Sequence, residues 1–135
     1  MKREMYYPYI SRVCIENFRN FQSLDVQLTG KQIIIGENNA GKSNLIRAIQ
    51  LILDPSLSEQ ERYLKETDFF DGIPKPFENG IEIKIVIEIK GFEHNKQLNA
   101  LLCDALVSKN PIVARLTYKF KKIDPVTNEY GFVIY

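Results

Sequence analysis

The chain has 135 residues, 44% of them hydrophobic and 26% charged, with a formal net charge of +1. That is one ordinary globular domain with enough apolar residues for a core, and with no global basic field to advertise nucleic-acid binding. No apolar run reaches the roughly 18 residues of a membrane span, and the N-terminus has charge without the apolar stretch of a secretory signal. Two cysteines, Cys14 and Cys103, are too few and too far apart for a disulfide framework or a zinc knuckle. They read as buried thiols of a cytoplasmic protein. His94, the only histidine, reads as a solvated or helix-capping residue.

In chain order, residues 10–18 alternate apolar and polar and predict a strand. Asn17 to Asn20 predicts a turn, and Leu24 to Leu28 the returning strand. Thr29-Gly30-Lys31 is a second turn. Ile33-Ile34-Ile35 is a continuous β-branched run, as in strands buried on both faces of a parallel sheet. A helix is expected over 44–53. Leu45, Ala48, Ile49 and Ile52 recur at helical spacing, and Asn44, Arg47 and Gln50 form the only polar stripe, which predicts a mostly buried helix. Asp54-Pro55 ends it. A short helix follows near 57–65, then an irregular stretch from Asp68 to Pro76. Residues 81–90 predict an antiparallel strand with one wet face, and 94–107 an amphipathic helix on Leu98, Leu101, Leu102, Ala105 and Leu106. Residues 112–122 alternate again. Asp124 to Asn128 is a turn, and Tyr130 to Tyr135 a last strand. An apolar strand at the end of the chain suggests the first part of something longer.

Between the β-branched run and the helix lies Gly36-Glu37-Asn38-Asn39-Ala40-Gly41-Lys42-Ser43. It has the spacing of a Walker A phosphate loop: glycine, four residues, glycine, lysine, serine. A chance match is expected about once in 200 sequences of this length, and the flanking strand and helix make it rarer. Wrapping a phosphate in inward-pointing N–H groups needs backbone that tolerates unusual φ/ψ, hence Gly36 and Gly41, with Asn38 and Asn39 next best. The following helix offers the positive end of its dipole. Lys42 is the expected cation for the β- and γ-phosphates of ATP, and the Ser43 hydroxyl the expected Mg²⁺ ligand.

The loop's Gly-x-Asn start, together with Ile15 to Phe21 (IENFRNF), resembles the N-terminal ATPase lobe of ABC-type DNA-maintenance ATPases: the RecF, SMC and OLD (overcoming lysogenization defect) families. Asn38-Asn39, and the Asp68-Phe69 element after the helix, are most similar to the OLD family. The resemblance implies an α/β P-loop NTPase: an ABC-type ATPase lobe with an antiparallel β-subdomain, here incomplete over 1–135. It implies nucleotide contacts from Gly36, Asn38, Asn39, Ala40, Gly41, Lys42, Ser43 and Asn44, assembly into a homo-oligomer through this domain, and DNA as the partner of the full-length protein. It also implies ATP-dependent DNA endonuclease activity in phage defence, with a RecF- or SMC-like head, or a non-catalytic nucleotide-binding module, as the alternatives. No signature motif, no strand ending in Asp-Glu and no Toprim acidic set is visible, so this segment is expected to bind nucleotide better than it hydrolyses it.

Several residues carry two readings. By the same resemblance Arg19 approaches the nucleotide; otherwise it is a solvent-facing hairpin arginine. Asn44 contacts phosphate or caps the helix, or else belongs to its polar stripe. Asp68 and Asp71 are expected to serve the turn around Gly72 rather than a metal. Arg115, Lys119, Lys121 and Lys122 form a basic strand face, read as solvated in preference to a nucleic-acid track. Tyr118 and Phe120 read as core.

Overall fold

The computed structural model describes residues 7–28 and 39–135. Among these, six strands form one antiparallel sheet: β1 (Tyr9–Phe18), β2 (Phe21–Gln27), β3 (Ile83–Lys90), β4 (Leu106–Lys109), β5 (Ile112–Lys122) and β6 (Tyr130–Ile134). Their order is β2-β1-β3-β5-β4, with β6 also pairing β5. The helices are α1 (Asn39–Leu53), α2 (Glu59–Arg62) and α3 (Lys96–Leu102).

Period-two alternation explains how the sheet builds a core. Val13, Ile15, Ile83, Ile85, Ile87, Ala114, Tyr118 and Phe120 are all buried. Register aligns them across strands, Ile15 opposite Ile85 and Ile85 opposite Tyr118. Helix α1 lies over β3 and β5 on this face and buries Ala48, Leu51 and Ile52. The opposite face of the sheet is polar. There Arg12 pairs with Asp25 and with Glu88, which also takes Arg115.

The strands expected over 10–18, 81–90, 112–122 and 130–135 are present to within two residues at each end. The returning strand starts at Phe21, three residues earlier than expected. The turn at Thr29 and the parallel-type strand at Ile33–Ile35 lie outside the described residues.

Four expectations change. Helix α1 begins at Asn39, five residues early. It is also less buried than its single polar stripe implied: Ile46 is 45% and Leu53 41% exposed, because among the described residues only one side of the helix has a sheet to cover it. The helix expected over 94–107 stops at Leu102, passes through a 3-10 turn at Cys103–Ala105 and becomes strand β4. Leu106 onward pairs with β5 instead, so the tertiary ladder overrides helical spacing, and Leu101 is left 77% exposed. Its N-cap is Asn95, whose side chain accepts from the N–H groups of Gln97 and Leu98; His94 is exposed beside it. Finally, Cys14 is half-buried and Cys103 exposed, since Cys14 sits on the outer sheet face and Cys103 at the end of a surface helix.

The irregular stretch after α2 is anchored by aromatic side chains. Phe69, 2% exposed, meets Phe77 edge-on at 5.3 Å and Tyr130 at 6.2 Å. The Tyr130 hydroxyl donates to the Ile81 carbonyl at 2.8 Å. A buried hydroxyl with a partner and interlocked ring edges give a loop a fixed place without regular structure.

Candidate nucleotide site

Three segments far apart in sequence converge at the start of α1. The first is the β1–β2 turn, where Asn17 and Arg19 take left-handed φ of 60° and 51°. Asn tolerates that region; Arg does so only when its surroundings hold it. Here Asn17 donates its side-chain amide to the Glu82 carbonyl at 3.0 Å, and Phe18 is fully buried beneath the turn. The second segment is Glu66 to Phe70. The Arg19 N–H donates to the Asp68 carbonyl at 2.8 Å, and the Phe70 N–H to the Asn17 carbonyl at 3.0 Å. A Phe18–Phe69 bridge lies between. The third is α1 itself.

Side chains join the three. Arg19 Nε donates to Asp68 Oδ1 at 3.1 Å, and its Nη1 to Asn44 Oδ1 at 2.9 Å. Asn44 in turn donates to Asn20 Oδ1 at 2.7 Å. The guanidinium lies 5.2 Å from the Phe18 ring centroid, within cation–π range. Asp68 Oδ2 accepts the Lys65 N–H at 2.8 Å. Both carboxylate oxygens are therefore engaged, and neither serves a turn at Gly72. That turn is closed by backbone, Ile73 N–H to the Phe70 carbonyl at 3.0 Å, and Asp71 is exposed. The sequence marked Asp68-Phe69 as a shared element but misassigned its carboxylate, because the partner is 49 residues away.

Of the phosphate-loop residues, Gly36, Glu37 and Asn38 lie outside the described residues. Asn39, Ala40, Gly41, Lys42 and Ser43 belong to α1. Gly41 is therefore helical rather than in an unusual φ/ψ region, and so is Asn39; a helix start already aims N–H groups along its axis, so no left-handed residue is needed there. Lys42 and Ser43 are exposed, and the first turn holds no acidic residue. Arg19 stands one residue from Ser43 through its bond to Asn44. Beside this cluster a depression of about 570 Å³ is lined by Arg19, Arg47, Tyr63, Lys65 and Asp68 among others. A positive helix end, two basic side chains and a hydroxyl fit a polyphosphate carrying a divalent cation. No group of three or more His, Cys, Asp or Glu suited to hold a metal alone occurs among the described residues.

The basic strand face does not survive as a unit. Lys122 opposes Tyr130 and shares a face with Phe120, by alternation, whereas Arg115 is tied to Glu88 at 2.7 Å. Tyr118 and Phe120 are buried, as expected.

A P-loop helix laid on an antiparallel sheet, with a basic cluster at its N-terminal end, defines a P-loop ATPase lobe. The chain belongs to the AAA ATPase domain family (AAA_15), which it matches over residues 9–130. It is similar to endonuclease GajA of Bacillus cereus strain VD045, 28% identical over 127 residues, covering 92% of this chain and 21% of GajA. Old nuclease of Escherichia phage P2 is 40% identical over 62 residues, 46% of this chain and 10% of that protein. DNA replication and repair protein RecF of Gloeobacter violaceus is 42% identical over 45 residues, 33% of this chain and 12% of RecF. The chain thus spans about a fifth or less of each of these relatives. Membership in an ATPase family implies nucleotide binding. No helix among the described residues is long and apolar enough to cross a membrane.

Proposed function

We propose that this chain is the N-terminal ATP-binding segment of an OLD-family ATP-dependent DNA endonuclease acting in phage defence, and that it binds ATP with Mg²⁺ through Gly36 to Ser43. The observation that carries this reading is that Arg19 is hydrogen-bonded to Asn44 on the same helix whose first turns carry the exposed Lys42 and Ser43. Backbone N–H groups of Gly36, Asn38, Asn39, Ala40 and Gly41 would cradle the phosphates, Lys42 and Arg19 would supply cations, and Ser43 would hold Mg²⁺. The metal's chemistry is to neutralise charge on the β- and γ-phosphate oxygens. Without a Walker B carboxylate the segment binds nucleotide more readily than it turns it over. The full-length protein would complete its sites by pairing two ATPase lobes, work on DNA, and reside in the cytoplasm.

Coverage favours the endonuclease reading over a RecF-like head that acts on DNA without cutting it. The GajA match runs through 92% of the chain, whereas the RecF match spans 33%. The test is thermal. Saturating Mg-ATP should raise the melting temperature of the wild type, with about 2.7 kcal/mol gained at a hundredfold excess over Kd. Lys42→Ala should abolish the rise. Equal responses from the two proteins would remove the loop as the nucleotide site.

A further inference from the structure

We infer that Asp68 is the positioning residue for Arg19: its carboxylate holds the guanidinium against the first turns of α1 at Asn44, so that this end of the helix carries a fixed cation in addition to Lys42. The inference rests on the nucleotide reading above for its purpose, but its geometry does not.

Arg19 has reasons to be elsewhere. It lies on a two-residue turn with a left-handed φ of 51°, and a long cationic side chain on a hairpin tip ordinarily extends into water. Instead it is two-thirds buried, its side chain 34% exposed and that of Asp68 15%. Nε and Nη2 both reach Asp68 Oδ1 at 3.1 Å, and Nη1 reaches Asn44 Oδ1 at 2.9 Å. Three of the five guanidinium N–H donors are thereby directed, which fixes the plane of the group. The Phe18 ring supports one face.

Asp68 is itself held. Its backbone carbonyl accepts the Arg19 N–H, and its second carboxylate oxygen accepts the Lys65 N–H at 2.8 Å. The carboxylate therefore cannot follow the arginine into solvent. Asn44 alone, a neutral acceptor, offers only one bond to the fork. Charge-assisted bonds to a fixed carboxylate are the stronger restraint.

The consequence for binding has a definite sign. If Asp68 merely added negative charge near an anion site, removing that charge would tighten nucleotide binding. If it positions Arg19, removal releases the cation and weakens binding. Asp68→Asn retains an acceptor for the Lys65 N–H and deletes the charge, so it separates the two.

The experiment measures Mg-ATP affinity of the 135-residue chain by titration for wild type, Arg19→Ala, Asp68→Asn and the double variant. Each single variant should raise Kd by about tenfold, the scale of one charge-assisted contact, and the double variant should bind no worse than Arg19→Ala. Wild-type or tighter binding by Asp68→Asn, or additive losses in the double variant, would overturn the assignment. Asp68→Glu should recover part of the affinity if the charge is what matters. Circular dichroism melting identifies any variant that fails to fold.

A nucleotide-free readout separates this idea from the ATP reading. The Nε–H resonance of Arg19 should be slow to exchange with solvent in the wild type and fast in Asp68→Asn. Protection unchanged in Asp68→Asn sinks the positioning role. Protection lost, in a wild type that binds no Mg-ATP, sinks the nucleotide reading and leaves Asp68 as the residue that holds Arg19.

Discussion

The Arg12–Asp25 pair shows how a single side chain reports on its neighbours. Arg12 donates through Nε at 2.9 Å and Nη2 at 2.7 Å, a bidentate arrangement across β1 and β2 that alternation had placed on one face. The hydrogen bonds from Arg12 pull the Asp25 carboxyl down to about 2, aided by the Cys14 thiol. Burial, followed by the bond to Asp25, pushes the Cys14 thiol up. A carboxyl depressed in the folded state stabilises above its unfolded pKa of about 4 and loses that contribution as pH falls towards the folded value. The melting temperature of the wild type should therefore exceed that of Asp25→Asn near neutral pH, and the gap should close between pH 4 and 2. A gap that widened on acidification would contradict the pair's role. At this scale sequence reasoning located Arg19 and Asn44 but left each with two readings, because their bond spans 25 residues. It misplaced Asp68 for the same reason.

Helix α1 shows the element scale. Its end is set by chemistry several residues beyond. The helix has no basic residue in its last turn, so its terminal carbonyls need donors from outside. Arg62 caps one of them, donating Nε to the Leu51 carbonyl at 3.0 Å, and ties down the chain that follows, donating Nη2 to the Asp54 carbonyl and Nη1 to that of Leu57 at 2.6 Å. The Arg62 carbonyl then accepts from the Tyr118 hydroxyl, and burial holds that phenol above its ordinary pKa. One arginine thus joins α1, α2 and β5. Arg62→Ala should cost about 2 kcal/mol, because it strips a charged donor from partly buried carbonyls. Urea unfolding measures it, and Arg62→Lys, with a single donor head, should fall between. The Asp54-Pro55 stop was readable in sequence; the arginine that completes it was not, since nothing local marks which of 18 basic residues folds back.

At the scale of the whole molecule, the sheet is a frame for the Arg19–Asn44–Asp68 cluster, and the irregular segment is the link. Phe69 is buried against Phe77, Phe120 and Tyr130, and it follows Asp68 directly. The aromatic cluster therefore fixes where the Asp68 carboxylate stands. Phe69→Ala should destabilise by about 4 kcal/mol through the cavity it leaves, read from the denaturation midpoint. It should also loosen the Arg19 contact that the preceding residue makes. Unchanged stability would mean that the segment is not a structural part of the core.

By itself the sequence determined the strands β1, β3, β5 and β6 and the helix that follows the Gly36–Ser43 motif. Alternation and helical spacing are local, and a strand or helix shows them whatever it packs against. The tertiary structure decided what locality cannot reach. It turned Leu106 and Val107 from helix to strand by offering the edge of β5, left Ile46 and Leu53 of α1 exposed, and brought Arg19, Asn44 and Asp68 to one point. Those outcomes depend on which surfaces meet, and the meeting is set by burial of the whole apolar face rather than by any neighbouring residue.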